Sequence, residues 1–144
     1  MVAGRFQGLL AGYEGCVNEL AVSGNVLCSG GGDGTVRVLR MDGDGSTWGW
    51  ERTLDVESGV WCAGAWEGRV ASGSGDGGIR VWGTETRWLQ RTLRGHNEDV
   101  IALMVSGGRL ISSSRDRTVR VWSTETWGCV RILPSCGCGF SAWR

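Results

Sequence analysis

Net charge is missing from this chain: its 15 basic residues cancel its 15 acidic ones. A neutral chain lacks the electrostatic footprint of a protein that grips nucleic acid or a membrane surface, so no nucleic-acid partner is expected. Missing too is any run near the roughly 20 apolar residues that cross a bilayer. Met1 to Gly15 has neither the basic start nor the apolar run of a secretory signal. No membrane insertion is expected, and the chain is expected inside the cell, in the cytoplasm with the nucleus as the alternative. Histidine occurs once, at His96, beside six cysteines (Cys16, Cys28, Cys62, Cys129, Cys136, Cys138) that are unevenly spaced. Cys136-Gly-Cys138 lacks the two-residue gap of a zinc knuckle, and Cys28 and Cys62 fall at strand positions where a reduced cysteine acts as a small apolar residue. Neither a metal nor a cofactor is expected.

Proline occurs once, against 26 glycines in 144 residues. That balance suits short strands joined by tight turns, since glycine supplies the positive φ such turns need. The hydrophobic content of 41% is enough for one modest domain.

The most informative feature is repetition. Val100 lies 16 residues before Asp116, which lies six before Trp122; Val60, Asp76 and Trp82 repeat those intervals, and Val17, Asp33 and Leu39 repeat them again. The aspartates stand 43 and then 40 residues apart. Self-similarity at that period marks an array of supersecondary units, each too thin to bury its own apolar faces.

These units resemble the WD40 repeat of β-propeller proteins. The resemblance rests on a serine before the turn (Ser29, Ser72, Ser112), a turn centred on Asp33, Asp76 or Asp116, the endings T-V-R-V-L, G-I-R-V-W and T-V-R-V-W, and Gly95-His96 ahead of the third unit. The aspartate that would complete the family's W-D pair is Arg40, Gly83 or Ser123 here. The resemblance implies an all-β chain, a partial WD40 β-propeller of three four-stranded blades plus flanking strands, spanning residues 1–144. Repeats are expected at about 12–54, 55–93 and 94–133, with 134–144 beginning a further repeat.

Within the first unit, strands are expected at Val17 to Val22, Val26 to Gly30 and Thr35 to Leu39, with an outer strand near Trp50 to Leu54. Arg5 to Leu10 aligns with Trp88 to Leu93 and Gly128 to Leu133, which makes it an outer strand of another blade. The loop M-D-G-D-G-S-T-W-G resembles a calcium loop, but Thr47 and Thr53 stand where its glycine and closing glutamate belong, so it is read as a solvated turn. Phe140 and Ala142 lie 40 residues after Val100 and Ala102, as if a fourth inner strand were starting. Propellers close with about 4 to 8 blades. Three blades therefore imply a piece of a larger propeller, a truncated reading frame, or self-association that closes the ring between chains.

His96, Ser112 and Asp116 contain the elements of a hydrolase triad. The resemblance implies a different role, a buried hydrogen-bond network in which Trp122 is a further donor. Unit two keeps Ser72, Asp76 and Trp82 without a histidine, and unit one keeps Ser29 and Asp33 with Tyr13 in the histidine slot. No catalytic residue is therefore assigned. The glycine-rich turns lack the G-K-[ST] of a phosphate loop. Arg37, Arg80 and Arg120 are read as the polar positions of their strands, with the stem packed and the charge solvated. Of nine tryptophans, Trp82 and Trp122 belong to third strands, and Trp61 and Trp66 to a first strand, whereas Trp48, Trp88 and Trp127 are less committed.

A propeller's loops gather on two faces, and loops on a rigid scaffold carry binding residues. One face would hold Tyr13, Glu14, Glu57, Glu98, Asp99, Arg115 and Arg117, a mixed-charge set suited to a protein or peptide partner. The expected function is a noncatalytic protein-interaction scaffold or adaptor. The wording S-R-D-R-T-V-R-V-W looks like the propellers of F-box and RING ubiquitin ligases and suggests substrate recruitment. The alternatives are a structural fragment without independent activity and, further off, a hydrolase.

Overall fold

A computed structural model describes residues 13–44, 48–86 and 88–134. They form twelve strands: β1 (Val17–Ser23), β2 (Val26–Gly31), β3 (Thr35–Met41), β4 (Trp48–Asp55), β5 (Val60–Trp66), β6 (Arg69–Ser74), β7 (Ile79–Gly83), β8 (Leu89–Leu93), β9 (Val100–Ser106), β10 (Arg109–Ser114), β11 (Thr118–Ser123) and β12 (Cys129–Pro134). Each successive set of four makes one antiparallel sheet in chain order, β1 to β4, β5 to β8 and β9 to β12. The strands expected at Arg5 to Leu10 and Gly139 to Trp143, with Cys136 and Cys138, lie outside the described residues.

Turn chemistry explains where the strands stop. The hairpin between β5 and β6 places Glu67 and Gly68 at φ 37° and 76°, and that between β9 and β10 places Gly107 and Gly108 at 55° and 72°. Positive φ at both turn residues matches the right-handed twist of the flanking strands. At the other end of each sheet an aspartate caps the turn from β2 to β3 and its equivalents. Asp33 accepts the Thr35 amide at 3.1 Å, Asp76 the Gly78 amide at 2.9 Å and Asp116 the Thr118 amide at 2.9 Å. Aspartate is selected there because its carboxylate can accept from its own backbone two residues on.

The middle sheet is sandwiched. Strands β1 and β2 pack on β5, and β5 and β6 pack on β9, which leaves an open stack of three blades rather than a closed ring. One core lies between the first and second sheets around Val36, Val38, Val60, Val70 and Trp82; the other lies between the second and third around Cys62, Ile79, Val81, Leu110 and Trp122. Full burial of one such aliphatic side chain contributes about 1.5 to 3 kcal/mol. Each first strand also carries a bulge just after its opening valine, so Asn18, Trp61 and Ile101 have no partner in the ladder. A bulge re-aims its extra side chain. Here it does so at the end of the blades where the aspartate turns lie.

Candidate protein-interaction face

The loops before β1, β5 and β9 are tied to the aspartate turns by the same bond in all three blades. Gly32 N donates to Cys16 O at 2.8 Å, Gly75 N to Gly59 O at 3.0 Å and Arg115 N to Asp99 O at 3.0 Å. Loop and turn thereby form one surface on each blade, fixed by backbone rather than by flexible side chains.

Beneath that surface the third blade holds its polar network. His96 Nδ1 lies 2.9 Å from Asp116 Oδ2 and Nε2 lies 2.8 Å from Ser112 Oγ, while Trp122 Nε1 donates to the same Ser112 Oγ at 3.0 Å. Burial drives the His96 pKa below its ordinary value, against the pull of the Asp116 hydrogen bond. A neutral imidazole with its proton on Nδ1 donates to Asp116 and accepts from the Ser112 hydroxyl, so one tautomer satisfies every member. Burial pushes the Asp116 carboxyl up, but bonds from Thr118, His96 and the Asn97 and Thr118 amides outweigh it and leave the group well below the usual carboxylate range.

In the first blade Tyr13 takes the histidine's place. Its hydroxyl donates to Ser29 O at 2.8 Å and also meets Ser29 Oγ, and the Arg37 guanidinium lies 4.0 Å from its ring centre. Glu14 N donates to Asp33 Oδ2 at 3.2 Å, as Asn97 N does to Asp116 Oδ2 at 3.1 Å. Of the two places the sequence suggested for Tyr13, the histidine slot and the outer surface, its half-burial and inward hydrogen bonds favour the first.

The second blade differs. Asp76 bonds Arg80 Nη2 at 2.6 Å and Ser74 Oγ at 2.7 Å, and these partners, led by the Arg80 bond, hold its carboxyl well below the usual range. Ser72 Oγ is buried with no hydrogen-bond partner among the described residues. Trp82 packs into the apolar core. Arg80 is thus not a solvated charge on a packed stem, as its strand position suggests; its guanidinium closes the turn in place of a histidine.

The outer surface carries Glu14, Glu57, Glu98, Arg115 and Arg117 exposed, with Asp99 half-buried. Glu57 and Arg117 hold φ of 63° and 68°, a left-handed backbone costly for residues with a Cβ. Arg115 lies with its guanidinium 5.8 Å from the Trp61 ring centre and its Nε 3.8 Å from Asp99 Oδ2. Trp61 is 39% exposed. Sequence reasoning gave Trp61 a structural slot, yet the β5 bulge lifts it onto the face. Gly75 makes the room: a Cβ there would sit 3.3 Å from Trp61 Nε1 and 3.4 Å from Ser58 Oγ. A tryptophan directly after the opening valine, where the other units have Asn18 and Ile101, was the available signal.

The opposite end of the blades is less organised. Trp88 is exposed there, and Trp127 packs against Trp66 at 6.5 Å between ring centres, with Arg69 5.5 Å from its ring. Among the described residues no group of three histidine, cysteine or acidic side chains is placed to hold a metal ion, and no helix is long and apolar enough to cross a membrane.

The family model for the WD domain, G-beta repeat, matches residues 4–39, 51–83 and 87–123. The chain belongs to the WD40 repeat family. Each matched WD40 segment closes on or at the end of a blade's third strand, and the second and third open on or just before an outer strand, so one sequence repeat straddles two blades. Among solved structures, the chain is similar to the computationally designed Ika4 protein, with a TM-score of 0.79 and 29% identity over 91% of this chain and 81% of that one. It is also similar to the computationally designed Ika8 protein, with a TM-score of 0.76 and 31% identity over 88% of this chain and 39% of that one. No curated protein sequence matches it. With 1055 solved chains matching, the WD40 architecture by itself names no ligand.

Proposed function

We propose that this WD40 chain is a noncatalytic interaction module that holds a protein or peptide on the face bearing the aspartate turns. The observation that carries the reading is Trp61, raised by a bulge and flanked by Arg115 and Asp99 within a rim of charged loop residues. Tryptophan and arginine dominate binding hot spots, and a polar rim that excludes water from such a centre is their usual setting. A basic pair, Arg115 and Arg117, stands on the third blade, and Glu14 and Glu57 stand on the first two. A segment crossing from one to the other would meet charges of both signs.

The noncatalytic part of the reading is supported by the burial of Ser112. Its hydroxyl is fully covered and already engages His96 and Trp122, so no substrate carbonyl can approach it. The finer reading, substrate recruitment within a ubiquitin ligase, is supported by the wording of Ser114 to Trp122. We place the chain in a reducing compartment, a reading supported by free thiols at Cys16, Cys28, Cys62 and Cys129.

The test is selection from a displayed random-peptide library on the immobilised chain, followed by calorimetry with the enriched peptides. Trp61→Ala and Arg115→Ala should each weaken binding by about tenfold or more, and Trp88→Ala on the opposite end should leave it unchanged. Failure to enrich any peptide, or enriched peptides that bind the Trp61 and Arg115 variants as well as the parent, would sink the proposal.

A further inference from the structure

Position by position, the three first strands reveal two surfaces that no other described residues cover. Val60 and Val100 are both 0% exposed, each seated against the preceding blade, whereas Val17 at the same place in the first blade is 51% exposed. A Cβ on Gly30 would lie 2.5 Å from Val60 Cγ1, and one on Gly73 would lie 2.6 Å from Val100 Cγ1, which shows how closely each valine is held. Leu20 and Val22, equivalent to Leu103 and Val105, are each 59% exposed, while Leu103 and Val105 pack into the core against the middle blade. At the other end of the stack, Met104 is 63% exposed. It pairs across the sheet with Ile111, and Ile111 pairs with Val121, so the three share one apolar face.

The two faces are the two halves of the junction that the chain makes twice internally. The first-blade face has the character of the surfaces that the second and third blades press onto their predecessors. The third-blade face has the character of the surfaces that receive them. We propose that a second copy of this chain covers both, the first blade of each copy seating on the third blade of the other. Such a contact is heterologous, and it closes when the repeated rotation completes a turn. Twice three blades fall within the range of about 4 to 8 at which propellers close.

The junction between copies cannot duplicate the internal ones in every detail. Where Gly30 and Gly73 receive a valine, the third blade has Ser113, so Val17 of the second copy must sit farther out. Where Ala21 and Gly64 stand in the earlier blades, the third has Met104, an unbranched side chain able to fill the wider gap that results. Ser113→Gly should therefore tighten the contact.

The experiment is light scattering across a dilution series of the full chain and of variants at each face. The parent should have twice the chain mass. Leu20→Glu and Met104→Lys should each raise the dissociation constant by about a hundredfold or more, because each buries an unpaired charge in an apolar contact. Mixed in equal amounts, they should dimerise again, since one junction is then unaltered and the other holds a glutamate opposite a lysine. Near-ultraviolet circular dichroism checks that the variants stay folded. Val22→Glu, also at a mostly exposed position, replaces Leu20→Glu if the latter does not. A parent that is monomeric at every concentration, one that grows into open polymers, variants that leave the dimer intact, or a mixture that stays monomeric would each overturn the proposal. None of these outcomes depends on peptide capture at the Trp61 face.

Discussion

Ser112 and Ser72 occupy the same place in their sheets, each paired across to the arginine of the following strand, Arg120 or Arg80, yet only one of them has its hydroxyl satisfied. Ser112 Oγ meets His96 Nε2 at 2.8 Å and Trp122 Nε1 at 3.0 Å, whereas Ser72 Oγ is buried without a partner. Truncating one member of a satisfied buried network strands the others, at a cost of about 1 to 3 kcal/mol. Ser112→Ala should therefore lower the urea unfolding free energy by that amount. Ser72→Ala should be near neutral or slightly stabilising, because it removes a group that has already lost its water. An equal loss from both substitutions would contradict the hydrogen-bond assignment.

Acid should destabilise the fold in two stages. Burial lowers the folded-state pKa of His96 below its ordinary 6.5, so the stability that its neutral form contributes is complete above that pH and declines as pH falls through the folded value. Asp76 and Asp116 lie below their ordinary 3.8, and their contributions are complete above that value and lost beneath it. Urea midpoints should begin to fall below about pH 6.5 and drop more steeply below about pH 4. His96→Gln should flatten the first stage and leave the Asp76 share of the second. A midpoint that rises between pH 7 and 5 would contradict the neutral imidazole.

Gly77 and Arg117 share a repeat position and both hold a left-handed backbone, at φ 80° and 68°. A Cβ at Gly77 would lie 2.6 Å from His96 O, whereas Arg117 is exposed. Gly77→Ala should destabilise by more than the roughly 1 to 2 kcal/mol of the backbone strain alone, while Arg117→Gly should stabilise by up to about 1 kcal/mol. Differential scanning calorimetry of the two variants checks both signs.

Cys28 and Cys62 are buried, and burial pushes each thiol up to about 12. Thiolate is the reactive form, so both should resist maleimide at neutral pH while the chain is folded, and Cys16 and Cys129, which are exposed, should be labelled. Peptide mapping after brief labelling, with and without urea, distinguishes the pairs. Rapid labelling of Cys28 in the native chain would contradict the packing of the first two blades.

Much of the architecture was legible because it rests on local chemistry. The turn aspartates Asp33, Asp76 and Asp116 bond amides two residues on, and that signal lies wholly within a few residues of sequence. Tyr13 could be placed in the histidine's slot because it precedes Ser29 by 16 residues, the interval from His96 to Ser112. Trp61 was not legible as a surface residue, since its exposure depends on a bulge in the β5 to β6 ladder and on the space left by Gly75.

By itself the sequence determined the family, the three four-stranded sheets and the aspartates that cap their turns, because those features come from hydrogen bonds between near neighbours repeated in register. Only the tertiary structure decided that two of three equivalent valines are buried and the third exposed, which of two equivalent serines is satisfied, and which tryptophan reaches the surface. Burial is supplied by a neighbouring blade some 40 residues away in sequence, and the same residue type ends in water or in the core according to whether that neighbour is there.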